Sequence, residues 1–252
     1  MTEPRFSIVT VTKDNLAGLH KTARSVEAQT CRDYEWLVID GGSRDGTQDH
    51  YTPVISEADG GIYDAMNKGI GCAKGAYILF LNAGDALAAP DVLESLRAYN
   101  ADFIYGDAWE DGYLKPARHN IERGMITHHQ AMLYRRACIG DLRFDTSLPL
   151  AADYDFTWRF MKRSADCLYV PVALCDFESG GVSQRKAAQG RREQFCIRRH
   201  RGVPLYVCLA IYLKQAAVQA VRQYAPALFW RVRSRRNSVL SPAHNRTLPR
   251  HP

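Results

Sequence analysis

Three aspartates, each at the edge of an apolar segment, are the side chains of this sequence best placed to do chemistry. Asp85 closes the string Phe80-Leu81-Asn82-Ala83-Gly84-Asp85, where an apolar strand stops in a polar, glycine-broken turn. Ligand sites in open α/β sheets lie at such strand ends. A carboxylate there can hold a divalent metal against a diphosphate, although Asn, Gly and Asp are also ordinary turn residues. Asp40 ends another strand and runs into Gly41-Gly42-Ser43-Arg44-Asp45-Gly46-Thr47. An acid in that place can hydrogen-bond a nucleobase or ribose, and the glycines admit close backbone approach. The same string also reads as a plain βα turn in which Asp45 and Thr47 start a helix. The third aspartate lies in Ala152-Asp153-Tyr154-Asp155-Phe156, at the start of an amphipathic helix. Two acids there either complement the helix terminus or include a general base for an acceptor hydroxyl.

The elements that must position these groups follow from apolar periodicity. Phe6–Thr12 reads as a first strand. Asp14 or Asn15 caps a helix carrying Leu16, Leu19, Ala23 and Val26 on one face. Strands are expected at Tyr34–Ile39, Pro53–Ile55, Ala76–Leu81 and Asp102–Tyr105, and helices at Ile62–Ala73 and from Pro90 through Tyr99. Strands alternating with helices predict a mostly parallel sheet with crossover helices. Past Gly106 the rhythm breaks into strands and loops. Helix returns at Ala152–Arg163, followed by two short strands, Leu168–Val172 and Ala173–Phe177.

The 252 residues are 46% hydrophobic and 24% charged, ordinary for a globular chain. Seven scattered cysteines without metal-type pairing read as reduced cytoplasmic thiols. Met1 is followed by a polar stretch, so no signal peptide is expected. Charge divides the chain. Residues 185–252 carry 15 Lys and Arg against the single acid Glu193, a net +14, while residues 1–184 carry 18 against 26, a net −8. Such asymmetry marks an anionic partner surface.

Taken in order, five strings resemble the family 2 inverting glycosyltransferases: Ser7–Thr12, Val38–Thr47, Ile62–Ile70, Phe80–Asp85 and Ala152–Asp155. The likeness runs over residues 5–180 and is greatest to bacterial enzymes of exopolysaccharide (colanic acid-like), capsule or O-antigen synthesis. The resemblance implies an α/β, GT-A-type, Rossmann-like sheet flanked by helices, and a nucleotide-sugar donor, with uracil the favoured base. It implies that Asp40 contacts the donor nucleotide, with Thr10 and Thr12 at the neighbouring strand end. Asp85 becomes the surviving acid of the family's metal motif, for Mg²⁺ or Mn²⁺, and Asp153 the catalytic base. Lys68, by charge and position, is expected to face the diphosphate, and Asn82 joins the donor-binding set. His128, His129, Gln130 and Asp155 are candidates for the acceptor side. The chain departs from the pattern at Gly41, Asn82, Gly84 and Ala152, where many members carry acids.

Domain organisation is expected as a catalytic domain over 1–184, a basic, amphipathic helical extension over 185–233 and a disordered tail over 234–252. Val203–Val221 is interrupted by Lys214, Gln215 and Gln219 and is too broken to span a bilayer. It reads as an interfacial helix anchored by Trp230 and the Arg231–Arg236 cluster. This predicts a cytoplasmic protein peripherally bound to the inner membrane and acting on a glycan or lipid-diphosphate-linked acceptor. No nucleic-acid motif is present, so nucleic acid is not an expected partner. Two other readings stay open. One is a nucleotide-sugar-binding protein without transferase activity. The other is a nucleotidyltransferase, which needs a Gly-rich phosphate loop where this chain has Thr10-Val11-Thr12-Lys13-Asp14-Asn15.

Overall fold

A computed structural model describes residues 3–51 and 55–225. In chain order its elements are β1 (Phe6–Thr12), α1 (Leu16–Glu27), β2 (Tyr34–Asp40), α2 (Thr47–His50), β3 (Ile55–Ser56), α3 (Ile62–Cys72), β4 (Tyr77–Phe80) and β5 (Ala86–Leu87). There follow α4 (Val92–Leu96), β6 (Phe103–Glu110), β7 (Tyr113–Lys115), β8 (Met132–Arg135), α5 (Arg136–Ile139) and α6 (Ala152–Arg163). The last are β9 (Cys167–Phe177), α7 (Val182–Arg185), α8 (Ala187–His200) and α9 (Leu205–Tyr224).

Among the described residues one sheet of nine strands runs in the order β3-β2-β1-β4-β8-β6-β9-β5, with β7 on β6. The pairings β2–β3, β1–β2, β1–β4 and β6–β9 are parallel, whereas β8 is antiparallel to both β4 and β6. The sheet is therefore mostly parallel in sense, with β5, β7 and β8 reversed. β4 shows why its strands read as apolar runs: Ile78 and Phe80 face one core layer, Tyr77 and Leu79 the other. The first layer holds Val9, Ile39, Met66, Phe103 and Tyr134 against Phe156 and Phe160 of α6. The second holds Phe6, Ile8, Val26, Leu93, Ile104 and Leu133. Strands covered on both faces have no polar face to show.

Several boundaries differ from expectation. Residues 53 and 54 of the expected third strand lie outside the described residues; among those described, Ile55–Ser56 pairs with β2. The helix after Pro90 is a short one, Val92–Leu96. The two strands expected at 168–177 are a single strand, β9. Its pairing with β6 slips between Gly106 and Asp107, where Val170 is followed by Ala173 in the register. Pro171 lies in this bulge, which tolerates a residue without an N–H. Gly106 lies beneath it: a Cβ there would meet Val172 O at 2.6 Å.

Contacts divide the chain into two units, residues 1–186 and 187–252. The described part of the second is an α8–α9 hairpin, turned at Gly202 with φ +85°. Phe195 meets Tyr212 edge to face, and Arg191 and Gln194 bond to Gln219 and Gln215. On α9 the side chains of Leu205, Tyr206, Leu209, Leu213 and Tyr224 are exposed. Among the described residues no helix is long and apolar enough to cross a membrane. Trp230, the Arg231–Arg236 cluster and the 234–252 tail lie outside the described residues.

Candidate active site

Asp40 is the last residue of β2 and is 1% exposed. It receives hydrogen bonds from Ser43 N (3.2 Å), Ser43 Oγ (2.5 Å), Ser56 Oγ (2.7 Å) and Gln48 Nε2 (3.4 Å). Burial works to raise its pKa, but these donors outweigh it and hold the carboxyl below the ordinary aspartate value. Thr12 stands opposite Asp40 in the β1–β2 register, and its buried hydroxyl has no hydrogen-bond partner among the described residues. Thr10 is different: its Oγ1 accepts from Trp36 Nε1 at 2.9 Å, so this hydroxyl is spent inside the fold. Asp45 accepts from Leu16 N and from both Thr47 N and Oγ1. It thus serves the starts of α1 and α2, as the ordinary turn reading of that string required.

Lys68 of α3 lies 2.8 Å from Glu57 and 3.6 Å from Asp64. The hydrogen bond to Glu57 raises its pKa. Asp64 lies one turn back on α3 itself, while Glu57 sits on the segment that follows β3, where its N donates to Asp40 O at 3.1 Å.

The turn Asn82–Asp85 is held from α1. Thr22 Oγ1 donates to Asp85 O (2.6 Å), lies 3.2 Å from Asn82 O and accepts from Gly84 N (3.0 Å). Asn15 Nδ2 donates to Ala83 O at 3.1 Å while Asn15 Oδ1 caps α1 through Gly18 N. Gly84 has φ +106°, and a Cβ there would lie 1.9 Å from Glu178 Oε2. An acid at this position, where many family members carry one, would be strained by the left-handed backbone and would require the Glu178 carboxylate to move aside. Asp85 itself is 5% exposed. Its Oδ1 accepts from Glu178 N (2.9 Å) and its Oδ2 from Gln130 Nε2 (2.5 Å). Burial dominates, and its pKa is raised in spite of these bonds and the nearby His129.

Asp153 lies in the first turn of α6 with its side chain 22% exposed. Its Oδ1 accepts from Tyr154 N at 2.8 Å, and its Oδ2 is 3.5 Å from His129 Nδ1. The other ring nitrogen of His129 is 3.1 Å from Asn82 Nδ2. Asn82, His129 and Asp153 therefore form one chain of contacts, and the adjacent Gln130 bonds Asp85. Asp155 is not part of it. Two residues on along a helix turns it to another face, where Arg159 Nε holds it at 2.7 Å. His128 also stands apart, stacked on Phe177 at 4.0 Å and bonded to Lys115 Nζ at 2.9 Å. Burial, then the Lys115 charge, lower its pKa to about 4, so its ring is neutral at pH 7.

Among the described residues no three His, Cys, Asp or Glu side chains converge as a metal cage. A Mg²⁺ or Mn²⁺ that shares a diphosphate needs only one or two carboxylates. Asp85 accepts one bond on each oxygen and so keeps a lone pair on each. Asn82 Oδ1 is buried without a partner among the described residues. These residues fit an ion held mainly by substrate oxygens and water. Sequence reasoning missed Thr22, Gln130's bond to Asp85, and Glu178. Thr22 had a signal: it is a hydroxyl on the apolar stripe of α1 between Leu19 and Val26.

Comparison with known proteins gives the fold and the family. Among solved structures, Staphylococcus aureus TarS (residues 1–349, with UDP) superposes with TM-score 0.61 at 17% identity, covering 84% of this chain and 70% of that one. A mannosyltransferase from Pyrobaculum calidifontis, in complex with GDP-Man and Mn²⁺, superposes with TM-score 0.64 at 16% identity, covering 96% and 82%. The fold is thus that of the GT-A-type glycosyltransferases. The family model described as glycosyl transferase family 2 matches residues 7–167, and the chain belongs to that family. A PGL/p-HBAD biosynthesis glycosyltransferase of Mycobacterium tuberculosis is 32% identical over 206 residues, 73% of this chain and 80% of that protein.

Proposed function

We propose that this glycosyltransferase inverts configuration as it moves a sugar from a nucleotide-sugar, a UDP-sugar foremost, to a hydroxyl of a lipid-linked or growing glycan of the bacterial surface. The observation that carries this reading is the partly exposed Asp153 in the first turn of α6, joined through one short turn to the strand-end carboxylate Asp85. Asp153 takes the proton from the acceptor hydroxyl, and the freed oxygen attacks the anomeric carbon opposite the nucleotide. General-base assistance of this kind contributes about 10²–10⁴-fold. Asp40 and Thr12 would receive the nucleotide end of the donor, with Lys68 near by. A divalent ion at Asp85 and Asn82 would neutralise charge on the departing diphosphate. TarS with UDP-GlcNAc and the mannosyltransferase with GDP-Man and Mn²⁺ make such a donor and ion reasonable for this fold.

The exposed apolar residues of α9 and the basic charge of the second unit favour docking at an anionic leaflet of the inner membrane, on its cytoplasmic side. Each Lys or Arg near such a surface contributes about 1 kcal/mol. The domain reading follows: a catalytic unit to about residue 184 and a membrane-associating extension after it.

Nucleotide diphosphate release from a panel of nucleotide-sugars with Mn²⁺ tests the reaction. Asp153→Asn is expected to bind donor yet lose about 10²-fold or more of turnover, while Asp155→Asn keeps turnover. Near-normal turnover in Asp153→Asn refutes the base. Donor binding without turnover in the native protein, even with lipid extract as acceptor, favours the binding-protein reading instead.

A further inference from the structure

One short turn touches both carboxylates of the proposed reaction. Residues His129–Ala131 form a single 3₁₀ turn ahead of β8. His129 reaches Asp153, and its neighbour Gln130 reaches Asp85. Resting on the reaction proposed above, we propose that this turn is a positioning element: His129 orients the base Asp153, Gln130 fixes Asp85, and the peptide between them sets their spacing.

The chemistry of the donors supports the assignment. An amide nitrogen only donates, so His129 Nε2, facing Asn82 Nδ2, is the acceptor of that pair. A neutral imidazole then carries its proton on Nδ1, which faces Asp153 Oδ2. The 3.5 Å separation is longer than a formed N–H···O bond, and such catalytic contacts commonly tighten when substrate arrives. With both ring nitrogens committed, His129 acts through Asp153 rather than on the acceptor. Gln130 is 1% exposed and gives its amide hydrogen to Asp85 at 2.5 Å. Asp153 is contacted on both oxygens, by Tyr154 N on Oδ1 and by His129 on Oδ2, which fixes the direction of the carboxylate and leaves a lone pair on each oxygen for a bound hydroxyl.

Two measurements on the full-length protein test this. Nitrogen-15 NMR of the imidazole rings, with His129 assigned by its loss in His129→Asn, is expected to show the proton on Nδ1. Asp153→Asn is expected to shift that Nδ1 signal. A ring with no proton on Nδ1, or a signal indifferent to Asp153→Asn, overturns the proposal. This readout needs no substrate, so it stands apart from the success of the transferase reading. The second measurement is turnover with UDP-GlcNAc or GDP-mannose and Mn²⁺. His129→Ala is expected to lower kcat by about 10–100-fold with little change in donor KM, the scale of a misplaced catalytic group. His129→Asn, whose amide nitrogen falls near the Nδ1 position, is expected to restore most of it. In the Asp153→Asn background, His129→Ala should cost nothing further. Full additivity, a loss confined to KM, or no rescue by Asn overturns the positioning role. Turnover that survives Asp153→Asn overturns the base assignment, and the positioning role with it, while the NMR signal still reports whether the contact exists.

Discussion

Asp40 and Asp85 sit at the ends of neighbouring parts of one sheet, both almost out of solvent, yet their environments push them in opposite directions. Burial disfavours the charge on each. Asp40 receives donors from Ser43, Ser56 and Gln48 and stays below the ordinary aspartate value. Among the described residues Asp85 receives Glu178 N and Gln130 Nε2 alone, and it stays above that value. Asp85 is the more heavily desolvated of the two and has the fewer donors, so depth and donor count together set the opposite signs. An anion already saturated by protein donors is a fixed wall of the site. An anion short of donors is the one that a cation would relieve, which is why the metal is better assigned to Asp85 than to Asp40.

Substitutions can break this contrast, and the largest effect is expected at Asp85. Asp85→Ala should lose metal-dependent donor binding and at least about 10²-fold of turnover, as removal of a Lewis-acid site worth several kcal/mol implies. Titration of donor with and without Mn²⁺ reads it; equal binding in both conditions for the native protein removes the metal assignment. Asp40→Ala comes next and acts on stability. It removes the acceptor of the part-buried Ser43 and the exposed Ser56, and a cost of about 0.5–1.5 kcal/mol is expected in denaturant unfolding. The pH dependence has a definite sign. With its folded pKa depressed, Asp40 contributes stability that is present above the unfolded value near ~3.9 and is lost as pH falls through the folded one. The gap between native and Asp40→Ala stabilities should be flat from neutral pH to about 4 and narrow below it. Gln48→Ala removes the longest of the four bonds from an exposed residue and should change stability by no more than about 0.5 kcal/mol. A larger loss would mean that the donors to Asp40 act as a cooperative set.

The first hundred residues were readable because periodicity and packing agree there. β1, α1 and α3 bury the faces that their apolar spacing marks. Asn15 caps α1 as its residue type requires. Legibility fell where tertiary partners set the structure. β5 has two residues and exists only through its pairing with β9. β6 runs on to Glu110 because β7 and β9 flank it, and the Asp111-Gly112 pair that turns β6 into β7, with φ of 54° and 75°, was a hairpin signal available in the sequence. Residue types marked Asp40, Asp85 and Asp153 by chemistry. Nothing in their spacing marked the bridge through His129 and Gln130, because it forms between residues far apart in the chain. The separation of Asp155 from Asp153 was legible in principle, from the 3.6-residue period alone.

The bonds that close Asp85 also have a place in time. Gln130 follows Asp85 by 45 residues and Glu178 by 93. Domains form as they are synthesised, beginning from the N-terminal side. On the ribosome, the strand-end turn made by α1, Thr22 and Gly84 can be complete while the Asp85 carboxylate still faces water as a solvated ion. Its burial waits for β9 to emerge and for Glu178 to deliver its N–H. The least comfortable charge in the site is therefore sealed by a donor that follows the final strand of the sheet, and a chain stopped before residue 178 lacks the N–H that closes it.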